Sequence, residues 1–440
     1  MHARLVEGVA AWVTPKRLII YPAAIVLSVM LSRAWVYGSA IASGVPFFLT
    51  VGQDFKGYYT GGRFWVEGRL AELYDVQAQQ EIQASLAIPG NKLLPFIHPP
   101  FTVVLWAPFA MGSYPAGLLG WWAAGLLALT ASLYLLRQEL LRPHQVSMGR
   151  LLLLSFLFYP TLAWFLYAQN TALTLLLYTL TLVWLRQGRD FAAGAALGLL
   201  LYKPQLAIAL GVMLAVKWRW RALLGGGLSA GLWLAVGFAL SPTAMGEYAR
   251  VSSGLLNLLV SSGGPDSKAW AVNTFYAFAV LLLGGLWPTG ANMLGTLLTA
   301  GGLIGVVVWW RRTAWRPGAY AWDFMLAATL ALGLLISPYV FVYDLMLLLA
   351  PLAIVWSHYP HGAGGRHLDG GRLLAWTALL YGATFASTYL AAAQVWLAAV
   401  LGLPQVALQI SVPVIAGWAW VVTRSAQGST ISPTPALSSG

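Results

Sequence analysis

The sequence predicts an all-α integral membrane protein, a polytopic helical bundle with about twelve transmembrane helices. Three observations lead there. Of the 440 residues, 59% are apolar and 9% charged, with a mean hydropathy of +0.72, more apolar surface than a soluble fold covers with its own polar groups. The apolar residues come in runs of roughly membrane-spanning length. Lys and Arg, in excess by +12, sit in short clusters between those runs rather than along one stripe, which fits membrane topology better than nucleic-acid binding. The chain has no cysteine, which excludes disulfides, thiolate metal sites and a thiol nucleophile.

The first run, Leu18 to Tyr37, follows Lys16 and Arg17 and is too long for a signal-peptide core; it reads as a retained span with the N-terminus in the cytoplasm. A first outer loop, 38–98, carries Asp54, Arg63, Glu67, Glu72, Asp75 and Glu81. Within it Phe55, Tyr58, Tyr59, Phe64, Trp65, Leu70 and Leu73 recur at helical spacing, predicting amphipathic helices lying in the interface. The apolar stretch from Phe101 breaks at Gly112-Ser113-Tyr114-Pro115, leaving a short first piece. If that piece does not cross, the clusters around Arg137, Arg186, Arg219, Arg311, Arg366 and Arg424 all share the side of Lys16 and Arg17, as the positive-inside bias requires.

On that reading the spans are 18–37, 116–136, 150–166, 171–186, 191–203, 204–217, 222–240, 292–310, 323–337, 339–356, 373–392 and 404–422, with a second outer loop at 241–274 and a re-entrant piece at 275–287. Residues 1–424 then form a single transmembrane domain, and 425–440, rich in Ser, Thr and Pro, a disordered tail.

Ionisable groups near hydrocarbon are costly, so those placed there point to function. Asp54, His98-Pro99-Pro100, Gln169-Asn170, Lys203-Pro204 and Tyr343-Asp344 all fall at outer helix ends in this topology. Two carboxylates, an imidazole and an ammonium converging at one face of a bundle suit acid–base chemistry on a lipid-linked substrate. No nucleotide-binding glycine loop, Walker motif or His-Glu-x-x-His metal site is present, and the expected scheme uses no cofactor and no metal.

The stretch Gln53-Asp54-Phe55, Tyr58-Tyr59, Gly61-Gly62-Arg63, Gly68 and Leu73-Tyr74-Asp75, then Pro95-Phe96-Ile97-His98-Pro99-Pro100 and Trp106-Ala107-Pro108-Phe109, resembles the opening signature of glycosyltransferase family 87. Gln169-Asn170, Ala193-Gly194 through Leu197-Gly198 to Tyr202-Lys203-Pro204, and Leu335-Ile336-Ser337-Pro338 follow in the family's order. The resemblance covers roughly residues 50 to 350. It implies a GT-C-like bundle in the cell membrane, and a transferase using a polyprenyl-phosphate sugar donor, mannose first, and a glycolipid or glycan acceptor on the periplasmic or outer face. The family's general-base aspartate maps onto Asp54. Two departures stand out: His98 replaces the family's usual Tyr before Pro-Pro, and Tyr339 to Asp344 replace its Ser-Trp and His.

The implied substrate-binding residues are Lys203, as the preferred phosphate contact, with His98, Arg63, Gln169, Asn170, Tyr343, Asp344, Tyr58 and Tyr59. Each has a purely structural alternative. Asp54 is a natural N-cap for a helix at Phe55, Lys203 a snorkelling lysine, His98 a donor inside a Pro-bounded turn, and Arg63 a surface partner of Glu67 at i+4. Gln169, Asn170, Tyr343 and Asp344 are candidate interhelical ties. A transporter or lipid-linked-sugar flippase is the rival function; it predicts repeated halves with broken helices meeting at the midplane, and no repeat is evident in the sequence.

Overall fold

The computed structural model describes residues 16–45, 47–86, 93–260, 269–358, 370–404 and 406–428. Among them every regular element is a helix, and the one extended pairing is the isolated bridge Val272–Phe341. Five helices are long and apolar enough to cross a membrane: Ile19–Ala42, Tyr114–His144, Trp220–Leu240, Pro288–Arg312 and Leu373–Leu401. A sixth is reached if a bent pair counts as one span, and shorter apolar helices of 10–17 residues fill the spaces between. The chain is therefore a helical membrane protein.

In order, the helices are α1 (Arg17–Ala42), α2 (Phe47–Thr50), α3 (Phe55–Val66), α4 (Val76–Ala84), α5 (Val103–Ala110), α6 (Tyr114–Leu136), α7 (Met148–Leu157), α8 (Tyr159–Tyr167), α9 (Thr171–Arg186) and α10 (Asp190–Gly198). There follow α11 (Pro204–Val216), α12 (Trp220–Leu240), α13 (Pro242–Val260), α14 (Phe275–Leu283), α15 (Pro288–Arg312), α16 (Tyr320–Ile336), α17 (Leu349–Ser357), α18 (Gly370–Leu401) and α19 (Ser411–Gly428).

Several expected spans take a different form. The run 150–166 is not one helix: α7 and α8 meet at an angle of 82°. Phe158 is extended there, and Pro160 falls in the first turn of α8, where its missing N–H is no loss. The run 339–356 opens as a 3₁₀ segment, Val342–Leu348, before α17. The second outer loop contains α13, while its residues 261–268 lie outside the described residues. Of the expected tail, 425–428 continue α19 and 429–440 lie outside the described residues.

In the first loop, α3 is packed on nearly every side, with Phe55 through Gly62 and Phe64 buried. Glycines make this possible. A Cβ on Gly61 would meet the Phe96 ring at 2.4 Å, and one on Gly62 would meet Ala110 Cβ at 2.6 Å and Trp106 O at 2.9 Å, so α5 and the segment before it lie directly against the α3 backbone. The piece from Pro100 to Ala110 spans only about 16 Å, too short to cross alone.

Close backbone contact recurs at α10 and α12. A Cβ on Gly194 would meet Ala222 O at 1.7 Å, and one on Gly198 would meet Gly226 O at 2.2 Å. Small residues four apart thus seat α10 on α12, the usual device where apolar helices have no water to drive them together. The last turn of α10 tightens into the 3₁₀ segment Leu199–Tyr202, and Pro204 opens α11. Lys203 occupies the break between them.

Candidate active site

Asp54 precedes α3 yet does not cap it: its side chain makes no capping bond. Instead Oδ2 accepts a hydrogen bond from Gln169 Nε2 at 2.5 Å. Gln169 Oε1 in turn accepts from the Tyr58 hydroxyl at 2.6 Å. One amide therefore orients the carboxylate through its NH2 and is itself oriented through its oxygen.

The α8–α9 junction that carries Gln169 is firmly held. Ala168 adopts the left-handed conformation at φ 55°, which costs a residue with a Cβ about 1–2 kcal/mol. Trp121 Nε1 donates to Ala168 O at 2.8 Å, Trp164 Nε1 to Gln169 O at 2.6 Å, Trp122 Nε1 to Phe165 O at 2.9 Å and Gly52 N to Leu166 O at 3.1 Å. Gly52, at φ +60°, has no room for a side chain, since a Cβ would meet Leu118 at 2.8 Å and Ala168 Cβ at 3.1 Å. The turn before Asp54 is thereby docked onto the strained junction.

Two residues further on, Thr171 Oγ1 donates to Asp344 Oδ1 at 3.0 Å. The same oxygen accepts from Lys203 Nζ at 2.8 Å, and Oδ2 accepts from Phe341 N at 3.2 Å. The Lys203–Asp344 pair is deeply buried, with side chains 9% and 5% exposed, and the ammonium lies 5.9 Å from the Tyr343 ring centre. Residues 169 to 171 thus bridge the two carboxylates. Between them Asn170, 1% exposed, has neither amide atom hydrogen-bonded among the described residues. Such an orphaned group costs about 1–3 kcal/mol and calls for a polar partner.

His98 is carried by an extended segment whose backbone two glutamines satisfy. Gln79 Oε1 accepts from Phe96 N at 2.7 Å, and Gln83 both accepts from Leu94 N at 3.0 Å and donates to Leu94 O at 2.7 Å. The Tyr74 hydroxyl donates to His98 O at 2.5 Å. The imidazole packs against Tyr58 at 5.3 Å between ring centres, and Tyr58 stacks on Trp106 at 4.6 Å. Burial, with the Lys203 ammonium adding to it, pushes the imidazole down to about 3. His98 is therefore a neutral hydrogen-bonding group here. Burial and the charges of Asp54 and Asp344 raise Tyr58, which keeps it a protonated donor.

The structure so brings together Asp54, Tyr58, His98, Gln169, Asn170, Lys203, Tyr343 and Asp344 at one end of the bundle. A fixed carboxylate there can take a proton, beside phenol and amide donors and a paired cation. A family model for glycosyltransferase family 87 matches residues 96–338, more than half of the chain. The chain belongs to glycosyltransferase family 87. It is a glycosyltransferase. The family match takes in His98, Gln169, Asn170 and Lys203, while Asp54, Tyr58, Tyr343 and Asp344 fall outside the matched residues. No curated protein and no solved structure matches the chain.

Two expected residues of this glycosyltransferase stand apart from the cluster. Arg63 chelates Glu67, with NH2 2.6 Å from Oε1, and reaches Ala110 O at 3.4 Å, the surface pairing that i, i+4 spacing suggested. The Tyr59 hydroxyl donates to Gly112 O at 2.9 Å and its ring packs on Phe55 and Tyr114. The sequence reading also passed over contributors. Thr171 carried no signal beyond following Gln169-Asn170. Gln79 and Gln83, four apart in a mostly polar helix, were visible only as polar residues. Lys56 is buried beside Asp54; burial lowers its ammonium and Asp54 works against that.

A second charged cluster lies at the far end of α9 and α16. Arg186 pairs with Asp323 and with Glu139 Oε1 at 3.2 Å, and His358 Nε2 lies 2.7 Å from Asp323 Oδ2. The sixteen residues of α9 put about 24 Å between this cluster and Gln169.

Proposed function

We propose that this glycosyltransferase moves a sugar, mannose first, from a polyprenyl-phosphate donor to a hydroxyl of a glycolipid or glycan acceptor, on the outer face of the cytoplasmic membrane and with inversion. Asp54 is the general base. As the acceptor oxygen attacks the anomeric carbon, Asp54 takes its proton, and the lipid phosphate leaves from the opposite face. Lys203, with Asp344 fixing its position and Tyr343 beneath it, is the proposed contact for the departing phosphate. Tyr58 and His98 are neutral donors to sugar or phosphate oxygens. Asn170 is assigned to a substrate hydroxyl, which would satisfy its two open valences. In this reading the short apolar helices complete a GT-C-like bundle of about twelve spans, thinned locally around the site.

The observation that carries the proposal is the Asp54 carboxylate, released from any capping role and aimed by Gln169, 115 residues away in sequence. An aspartate serving only as the N-cap of α3 would bond to its own helix. The test is sugar transfer by purified protein from polyprenyl-phosphate mannose into a lipid extract. Asp54→Asn should lower the rate about 10²–10⁴-fold while leaving thermal stability close to wild type. Equal product from both proteins would remove Asp54 from the base role. Solute uptake into vesicles without transfer from any lipid-phosphate sugar would favour the transporter.

A further inference from the structure

Arg33 lies inside the first span, nine residues before α1 ends at Ala42, or about 14 Å of helix from the end that leads to Asp54. A guanidinium within a span is costly and calls for a partner. Among the described residues no carboxylate supplies one. Its neighbours are instead four neutral phenols, Tyr167, Tyr37, Tyr389 and Tyr159. Its NH2 donates to the Tyr167 hydroxyl at 3.1 Å, and its carbon lies 5.7 Å from that ring centre. The Tyr159 and Tyr389 hydroxyls lie 3.1 Å apart.

This cage borders both lipid and the site. On α1, Met30, Leu31 and Trp35 are exposed, as are Tyr389 and Leu390 on α18, so one side of the cage faces the hydrocarbon. On the other side the Tyr167 ring lies 6.2 Å from the Tyr343 ring, and Tyr167 also feels the Asp54 charge. The Lys203 ammonium is already neutralised by Asp344, whereas among the described residues no carboxylate pairs with Arg33. An arginine fork ringed by phenol donors is suited to a phosphate, and its position admits one attached to a membrane lipid.

We propose that Arg33, with the phenols of Tyr167, Tyr159, Tyr389 and Tyr37, forms a capture subsite for the phosphate of an isoprenoid lipid entering sideways between α1 and α18. Arg33 lies outside the residues that match the family. The proposal rests on the donor assignment made above, and the experiment separates the two.

The full-length protein, in phosphatidylcholine nanodiscs, is titrated with polyprenyl monophosphate and with polyprenol of equal length, and binding is read by native mass spectrometry. Wild type should prefer the monophosphate by about tenfold or more, equivalent to about 1.4 kcal/mol. Arg33→Gln and Tyr167→Phe should weaken that preference, Arg33→Lys should recover part of it, and Asp54→Asn should retain it while losing transfer. A folded Arg33→Gln protein with wild-type preference and wild-type KM for the donor overturns the Arg33 site and leaves the donor reading intact. Displacement of the monophosphate by equal phosphatidylglycerol overturns it too, in favour of a general anionic-lipid contact. A wild-type protein that neither binds the monophosphate nor transfers from its sugar ester removes both.

Discussion

Replacing Lys203 by methionine removes the cation from a buried pair while keeping the length and apolar stem of the side chain. Breaking such a pair on one side costs about 3–5 kcal/mol, because the remaining charge is left without compensation. Asp344 would keep two donors, Thr171 Oγ1 at 3.0 Å and Phe341 N at 3.2 Å, and charge-assisted bonds of this kind are worth about 1.5–3 kcal/mol each. The cost of Lys203→Met should therefore lie at the low end, about 3 kcal/mol, or about 10² in the folding equilibrium. Asp344→Leu should cost at least as much, since among the described residues the stranded ammonium would retain the Tyr343 ring alone, 5.9 Å away, worth about 0.5–2 kcal/mol. The double variant removes both charges and should lose less than the sum of the single losses, what remains being the Thr171 hydroxyl and Phe341 N–H left without Asp344. Unfolding in mixed micelles of increasing dodecyl sulfate content, followed by tryptophan fluorescence, measures all four corners of the cycle. A double variant that loses the sum of the single losses would refute the reasoning, because it would mean that the two groups do not compensate each other. Activity reads a separate question: a stable double variant with full transfer would take Lys203 out of the phosphate role.

Asn170→Leu removes the orphaned amide at nearly constant volume, so it should leave the unliganded protein as stable or slightly more stable while lowering kcat/KM about 10–100-fold; loss of stability with unchanged kinetics would show the amide to be structural. His98, held at about 3 against an ordinary 6.5, binds its proton more readily in the unfolded chain, so its contribution is full above pH 6.5 and declines toward pH 3. Between pH 6.5 and 5 wild type should lose about 1.6 kcal/mol more than His98→Gln, and parallel melting curves against pH for the two proteins would contradict the buried neutral imidazole. Gly62→Ala should destabilise by about 1–3 kcal/mol through overpacking against α5, whereas Gly57→Ala, whose nearest neighbour would be 3.7 Å away, should be neutral or gain up to about 1 kcal/mol in helix propensity; equal melting temperatures for the two variants would mean that the α3–α5 contact is looser than it stands.

Much of the site was legible because chemistry and helix punctuation coincide in this chain. Lys203 stands immediately before a proline, Gln169-Asn170 immediately before an apolar run, and Asp344 shortly after Ser337-Pro338. Those are the points where backbone turns and polar side chains can meet water. Arg63 and Tyr59 belong to the same signature stretch, yet their positions on α3 turn them to Glu67 and to Gly112, a choice made by which face of the helix meets α5 and α6.

The amino-acid sequence alone determined that lipid is the solvent, since its 59% apolar content leaves no aqueous alternative, and the family membership follows from local order and spacing. It could not determine where α7 and α8 part by 82°, how α3 sinks into the bundle against its glycines, or that Gln169 rather than the helix end receives the Asp54 side chain. Nor could it show that Arg33 has phenols for neighbours and, among the described residues, no carboxylate. Each of these depends on contacts between segments tens to hundreds of residues apart, whose energies exist only once the helices have packed.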